Sequence, residues 1–275
     1  MNKLYSSTGL VGALGDLHGN TPWTRVTLNT FDKANIRIIL QLGDFGINSG
    51  EQGYNHLRIT NRVLEENKQT LLVTLGNHEN YDEIKSFLPH PEMEGFIYKK
   101  EFPNIIIANR GARFTINETS FVSLGGANSI DRIGRIQGVD WWTEEQITEK
   151  DILSTVKGGY ADIMLTHDCP EGINLWNNNS PDEIWTPEEV VYSELSRKIL
   201  KRGADGVKSK LLLHGHYHFF NDITEKLNSD KGDYTTRSIG LGMDGSNFNL
   251  GVIKLNSLDY TVLPISWDAR NYTKL

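Results

Sequence analysis

The feature that most constrains this chain is a strand ending that recurs five times. Val11-Gly12-Ala13-Leu14-Gly15-Asp16-Leu17-His18-Gly19-Asn20 is a short apolar run closed by an acid and a histidine two residues apart. Side chains in an extended strand repeat with period two, so Asp16 and His18 project to the same side where strand gives way to loop. The run Ile36 to Leu42 ends in Gly43-Asp44-Phe45-Gly46, and Thr70 to Leu75 ends in Gly76-Asn77-His78-Glu79. Tyr160 to Leu165 leads to Thr166-His167-Asp168-Cys169, and Lys210 to Leu213 leads to His214-Gly215-His216-Tyr217-His218. Leaving aside His214, which is out of phase with His216 and His218, five of the eight histidines sit at these ends, which a scattered core population would not produce. Carboxylate oxygen and imidazole nitrogen together suit a divalent first-row metal such as Mn, Fe, Ni or Zn better than calcium.

The segments between these ends have helical spacing. Thr21-Pro22 opens one helix, with proline where its missing N–H costs nothing, and Glu51 to about Asn67 forms a second. Strand, helix, strand, helix, strand reads as βαβ units and a parallel-leaning sheet, whose functional groups gather at the carboxyl ends of its strands. Pro89, Pro91 and Pro103 break the region 81 to 103. Asn104 to Ala108 and Ser120 to Leu124 read as the arms of a hairpin through Asn109 to Glu118. A loop from Gly125 to Trp142 carries Asp131, Arg132, Arg135 and the Trp141-Trp142 pair, the tryptophans read as packing. Thr143 with Gln146 predicts a capping box for a helix over about Glu144 to Leu153, and Thr186 to Glu189 predicts one for a helix through about Leu200. Asp233 to Trp267 reads as three or so antiparallel strands of a second sheet. Outside the strand-end pattern, His56 and His90 are expected at the surface, His214 as structural and Cys169 as a buried small hydrophobe.

Charge narrows the partners. A net charge of -7 and a pI near 5.6 give no basic field for a long polyanion, so bulk nucleic-acid binding is not expected. An acidic cluster loaded with metal would still present a local positive site to a small phosphate ester. No linker interrupts the 275 residues, so one domain over residues 1–275 is expected. The single cysteine excludes an internal disulfide and fits a reducing compartment. Met1 to Thr8 lacks the apolar core of a signal peptide and no run is long enough to span a membrane, so a cytoplasmic location is expected.

Gly15-Asp16-Leu17-His18-Gly19, Gly43-Asp44, Gly76-Asn77-His78-Glu79, His167 and Gly215-His216-Tyr217-His218 together resemble the motif series of the calcineurin-like metallophosphoesterases, in the family's order. The Gly125-Gly126-Ala127 loop with Ser129-Ile130-Asp131 and the paired tryptophans is similar to small bacterial and phage members. The resemblance implies an α/β fold, a four-layer α-β-β-α sandwich of two mixed sheets with a dinuclear metal site at the strand ends. Carried over position by position, Asp16, His18 and His218 would bind the first metal. Asn77, His167 and His216 would bind the second, and Asp44 would bridge the two. His78 corresponds to the family's catalytic histidine beside the leaving-group oxygen. Such a chain would be a metal-dependent phosphoesterase, with manganese the first choice and Fe, Ni or Zn as alternatives, using a hydroxide shared by cations about 3.5 to 4 Å apart on small phosphomonoesters or phosphodiesters.

The sequence departs from the protein Ser/Thr phosphatases of this superfamily at two places. They carry an arginine before Gly-Asn-His-Glu, where this chain has Leu75, and an Asp-Arg-Gly after the second Gly-Asp, where it has Phe45-Gly46-Ile47-Asn48. Two phosphate-clamping arginines and the acid that would orient His78 are thus missing from their usual places. Arg132 and Arg135 are the candidate substitutes, since guanidinium binds phosphate bidentately. A protein phosphatase is the alternative activity. A non-catalytic interaction domain on the same fold would leave gaps in the ligand set, and the sequence has none.

Overall fold

The computed structural model describes residues 2–175 and 185–265. β1 (Asn2–Leu4) and β2 (Leu10–Leu14) precede α1 (Thr21–Lys33), β3 (Ile38–Gln41), α2 (Gly50–Glu66) and β4 (Thr70–Thr74). After the single turn α3 (Tyr81–Ile84) come β5 (Leu88–Pro89), β6 (Phe96–Tyr98), β7 (Ile105–Ala108), β8 (Arg113–Ile116) and β9 (Thr119–Leu124). Then follow α4 (Glu149–Lys157), β10 (Ile163–Thr166), α5 (Pro187–Val207) and β11 (Leu211–His214). The last described strands are β12 (Asn221–Leu227), β13 (Tyr234–Gly240), β14 (Leu250–Lys254) and β15 (Asp259–Val262).

These strands form two mixed sheets. One runs β15-β14-β2-β3-β4-β7-β6-β5 and the other β1-β8-β9-β10-β11-β13-β12. The parallel centre of the first is β2-β3-β4-β7, and that of the second is β9-β10-β11-β13.

Side-chain alternation builds the layers. In β2, β3 and β4, Val11, Ala13, Leu40 and Leu72 enter the core between the sheets, where Ile163, Leu165, Leu211 and Leu213 of the other sheet meet them. Their neighbours Leu14, Ile39, Leu71 and Val73 face outward into a second core with Trp23, Leu28 and Phe31 of α1 and Leu57 and Leu64 of α2. On the far side, Val122, Met164 and Leu212 pack under Ile152 of α4 and Leu200, Ala204 and Val207 of α5. Strands buried on both faces explain the unbroken apolar runs in the sequence. The order helix, sheet, sheet, helix is the expected four-layer sandwich.

The caps agree with the sequence at two helices. Asn20 accepts the Trp23 N–H ahead of Pro22 at the start of α1, and Thr186 and Glu189 form a reciprocal capping box at the start of α5. Four expectations need correction. The strand from Asn104 is no hairpin partner of Ser120–Leu124: β7 lies between β4 and β6 in the eight-stranded sheet, and β8 is the strand that pairs with β9 in the other. The helix expected from Glu144 begins at Glu149, capped by Thr148 and Asp151. Thr143–Glu145 is only a 3-10 turn, because the carbonyls of Glu144, Glu145 and Gln146 accept hydrogen bonds from Arg110 instead of continuing a helix. The C-terminal strands divide between the sheets, β13 pairing parallel with β11 and β14 antiparallel with β2. Finally His56 is buried between α1 and α2, where it bonds the Thr21 hydroxyl at 2.9 Å.

Candidate metal centre

The carboxyl ends of the central strands of both sheets open on one place. The eight-stranded sheet delivers Asp16 and His18 after β2, Asp44 after β3, and Asn77 and His78 after β4. The seven-stranded sheet delivers His167 after β10, and His216 and His218 after β11. Donor atoms of Asp16, His18, Asp44 and His218 all lie within 4.8 Å of one another. His218 Nε2 is 3.1 Å from Asp16 Oδ2, and His18 Nε2 is 3.6 Å from Asp44 Oδ2. On the other side of Asp44, Oδ1 is 3.3 Å from His167 Nε2, which in turn lies 2.9 Å from Asn77 Oδ1. The His167 and His216 rings are 5.0 Å apart between centroids. All seven residues expected to bind metal are thus gathered around Asp44.

Backbone geometry shows how tightly the loops are drawn in. His18, Asp44, His216 and His218 all adopt left-handed φ values, at 45°, 52°, 69° and 61°. Non-glycine residues occupy this region at a cost, and such strain concentrates at functional sites. Gly43 has φ +98°, and a Cβ there would stand 2.2 Å from His167 Nδ1, so only glycine lets the β3 loop meet that ring.

Neighbouring groups orient the donors. His167 Nδ1 lies 2.7 Å from the Leu42 carbonyl, so the ring donates there and turns Nε2 inward. His18 Nδ1 faces Asp244 Oδ1 at 3.1 Å, and Asn20 Nδ2 donates to Asp244 Oδ2 at 2.6 Å. Asn77 gives its amide N–H to Ser129 Oγ at 3.0 Å, and Ser129 Oγ donates to Glu145 at 2.5 Å, leaving Asn77 Oδ1 toward the centre. Glu79, fully buried, accepts N–H bonds from Phe45, Gly46 and Ile47 at 2.8, 3.2 and 2.8 Å and so fixes the loop behind Asp44. Burial, with the nearby Asp44 charge, pushes the Glu79 carboxyl up to about 7 against those three bonds.

The donor set fits divalent cations. Asp16 and Asp44 are fully buried carboxylates, and Asp44 Oδ2 has no hydrogen-bond partner among the described residues. A buried carboxylate oxygen that accepts no hydrogen bond is costly, so this oxygen is built for a positive group. Protonation tells the same story. Burial alone would depress His18 and His167, but the adjacent Asp44 carboxylate outweighs it and pushes them up to about 9 and about 10. Without cations, protons compensate the carboxylates. The Asp/His cluster is of the kind typical of a dinuclear metal site.

His78 stands at the rim, its N–H donating to Asp44 Oδ1 at 2.8 Å and its ring 5.8 Å from that of His18. Arg135 reaches this ring, with Nη1 2.8 Å from Nδ1 and Nη2 3.2 Å from Nε2, and is itself anchored to Asp131 at 2.6 Å. Burial, reinforced by the Arg135 charge, lowers the His78 pKa despite the opposing pull of Asp44. Arg132 is not brought to the centre: its guanidinium lies 4.2 Å over the Tyr192 ring and 3.6 Å from Glu188, both on α5. A cavity of about 480 Å³ opens beside these groups, with Asp44, Asn77, His78, His216 and His218 on one wall and residues of α5 on the other.

The sequence pattern of the family described as calcineurin-like phosphoesterase matches residues 10–220, most of the chain. This protein is a calcineurin-like phosphoesterase family member. No curated protein sequence matches it. One solved structure aligns with a TM-score of 0.55 at 9% identity, covering 94% of this chain and 99% of that one. TT1561 of Thermus thermophilus aligns with a TM-score of 0.48 at 11% identity over 94% of this chain and 100% of its own. YfcE, a phosphoesterase from E. coli, aligns with a TM-score of 0.36 at 13% identity over 92% and 99%. At these identities the first likeness speaks for the fold alone.

Within this calcineurin-like phosphoesterase, the positions that depart from the protein phosphatases are filled by packing. Leu75, Phe45 and Ile47 belong to the core beneath α1 and α2. Asp168 closes its own turn with the Cys169 N–H at 2.7 Å and also accepts the Tyr217 hydroxyl at 2.6 Å, tying the β10 exit to the β11 exit. His214 is buried behind the cluster, its Nδ1 3.0 Å from the Gly215 carbonyl. Asp244 and Glu145 carry no motif spacing, and the Ser129-Ile130-Asp131 string does not announce that Ser129 meets Asn77. The one hint at Asp244 is its place in a Gly242-Met243-Asp244-Gly245 turn.

Proposed function

We propose that this chain hydrolyses small phosphomonoesters or phosphodiesters with two divalent cations held in the cluster around Asp44. The observation that carries this reading is the convergence of seven donor residues from both sheets beside a cavity lined by His78, whose ring Arg135 contacts. Asp16, His18 and His218 would hold one ion, Asn77, His167 and His216 the other, and Asp44 both. When bound, the ions supply positive charge that polarises the phosphate and acidifies the attacking water. The attacking oxygen forms a bond to phosphorus as the ester P–O bond breaks, and a proton must reach the departing alcohol. His78 donates that proton, or a hydrogen bond, to the leaving oxygen. Asp131 holds Arg135, whose guanidinium orients the His78 ring and can pair with a phosphate oxygen. Arg132 has the smaller claim as a phosphate clamp, since α5 already occupies its guanidinium. Manganese is the first metal to test, and a cytoplasmic site of action belongs to the same reading, with Cys169 a lone buried thiol.

The test is an assay of metal-stripped protein with Mn²⁺, Ni²⁺ or Zn²⁺ added, against p-nitrophenyl phosphate, its bis ester and a phosphopeptide. Metal-dependent turnover of a small ester, exceeding that of the phosphopeptide, is expected. His78→Asn should then lower kcat roughly 10²- to 10⁴-fold with metal binding retained. No turnover of either small ester with any of these metals would overturn the proposal. A phosphopeptide preferred over both would favour protein phosphatase activity.

A further inference from the structure

The cavity beside the cluster is larger than a phosphate group needs, and its far wall has a chemistry of its own. That wall is made by Trp185, just ahead of α5, and by Val190, Ser193 and Glu194 on one face of the helix, with Ile130 from the loop opposite. Positions 190, 193, 194 and 197 share a side because three- and four-residue steps return to the same helix face. Trp185, Val190 and Ile130 offer apolar contact, and the Trp185 ring adds a flat surface of the kind that binds rings.

The charges along this wall are already paired. Glu194 meets Arg197 at 3.1 Å, and Arg197 also donates to the carbonyls of Cys169 and Ile173 at 3.2 and 2.9 Å. Asp131 is held by Arg135 at 2.6 Å. Among the described residues lining the cavity, the one arginine is therefore committed to protein acceptors, and it is not free to take a second anion.

We propose that Trp185 and the first turns of α5 form the leaving-group subsite, and that the substrate is a phosphate ester of an uncharged alcohol bearing a ring. This inference rests on the phosphoesterase reading and names the substrate class it takes. The metal end would hold the phosphate, and the α5 end would hold the ring, with Ser193 and Glu194 available to accept its polar hydrogens. Esters of small aliphatic alcohols would leave the wall uncovered. Alcohols carrying a second phosphate would find no uncommitted arginine or lysine among the described residues that line the cavity.

The experiment is calorimetric binding of benzylphosphonate and ethylphosphonate to the Mn²⁺-loaded chain, with turnover of benzyl and ethyl phosphate measured in parallel. Benzylphosphonate should bind on the order of tenfold more tightly than ethylphosphonate. Trp185→Ala should bring the ratio to within about threefold of one, and Trp185→Phe should restore most of it. Butane-1,4-bisphosphonate should bind no more tightly than butylphosphonate. Equal affinities in the parent chain, no measurable binding of either compound, a ratio unmoved by Trp185→Ala, or a preference for the bisphosphonate would each overturn the proposal. Selective binding without turnover would support the subsite and sink the hydrolase reading. Turnover of both esters with equal binding would sink the subsite and leave the hydrolase reading standing.

Discussion

Asp244 stands 226 residues from His18 in sequence and 3.1 Å from it in space. A carboxylate on the far nitrogen of a metal-binding histidine fixes the ring's orientation and raises its basicity, and losing one costs roughly 10- to 100-fold in metal affinity. Asp244→Asn should weaken Mn²⁺ binding by that factor in calorimetry, whereas unchanged affinity would reduce Asp244 to a turn residue. A second test concerns His56. Burial pushes its pKa down from 6.5 to about 4, so it stays neutral in the folded chain where the unfolded chain takes up a proton. The unfolded state binds more protons between those values, so the stabilising contribution is complete above about pH 6.5 and fades as pH falls toward 4. It amounts to on the order of 3 kcal/mol. In chelator, His56→Gln should lose less stability than the parent between pH 7.5 and pH 4.5 in urea titrations, and parallel losses would refute the assignment. Both residues mark what sequence reading could reach. Asp16 with His18, and His216 with His218, announce themselves by a two-residue step at a strand end. Asp244 approaches from another part of the chain, with no spacing to betray it. His56 sits in a helix whose polar composition hides the fact that its face meets α1.

At the scale of elements, the loop bearing Arg135 is tied at its base by Arg110. That guanidinium donates to the carbonyls of Gly125, Gln146, Glu144 and Glu145 at 2.8, 2.7, 2.7 and 3.0 Å. Trp142 pins the same loop from the other side by donating to Asp82 at 3.0 Å. Arg110→Met would strand several carbonyls and should cost roughly 2 to 4 kcal/mol. Proteolysis should then begin within residues 126 to 142, and KM should rise as Arg135 loses its platform. An unchanged cleavage pattern would count against the clamp. Arg110 also explains an error of sequence reading, since it takes the carbonyls that a helix from Glu144 would have used. β7 misled for a different reason. Its Ile105-Ile106-Ile107-Ala108 run is buried on both faces, and such a strand carries no alternation to say which sheet it joins. β8 does alternate, as a strand toward the rim of a sheet should, but its four residues are too few to stand out from a loop. The strands that feed the cluster were legible because each couples an apolar run to a ligand type at its end, with a glycine beside it in all but β10.

For the whole molecule, the sandwich and the cluster belong to one energetic unit. Buried carboxylates that repel one another without cations destabilise the fold, and an ion bound only by the folded state stabilises it. At about 100 times its dissociation constant, one such ion adds about 2.7 kcal/mol, or roughly 5 to 10 °C of melting temperature in a domain of this size. Chelator should lower Tm by this amount and Mn²⁺ should restore it, while a melting curve indifferent to both would argue that the cluster holds no cation in solution. The architecture as a whole was readable because residues 10–220 carry the strand-end pattern in order. The placement of β13 and β14 in different sheets was not, because local alternation is the same whichever partner a strand finds.

The two sheets divide the donors, with Asp16, His18, Asp44 and Asn77 on one and His167, His216 and His218 on the other. Cations held there would work as rivets through a seam. In a cell starved of divalent ions the seam would breathe and expose its apolar lining to proteases. The abundance of this protein would then follow metal supply before its catalytic rate did.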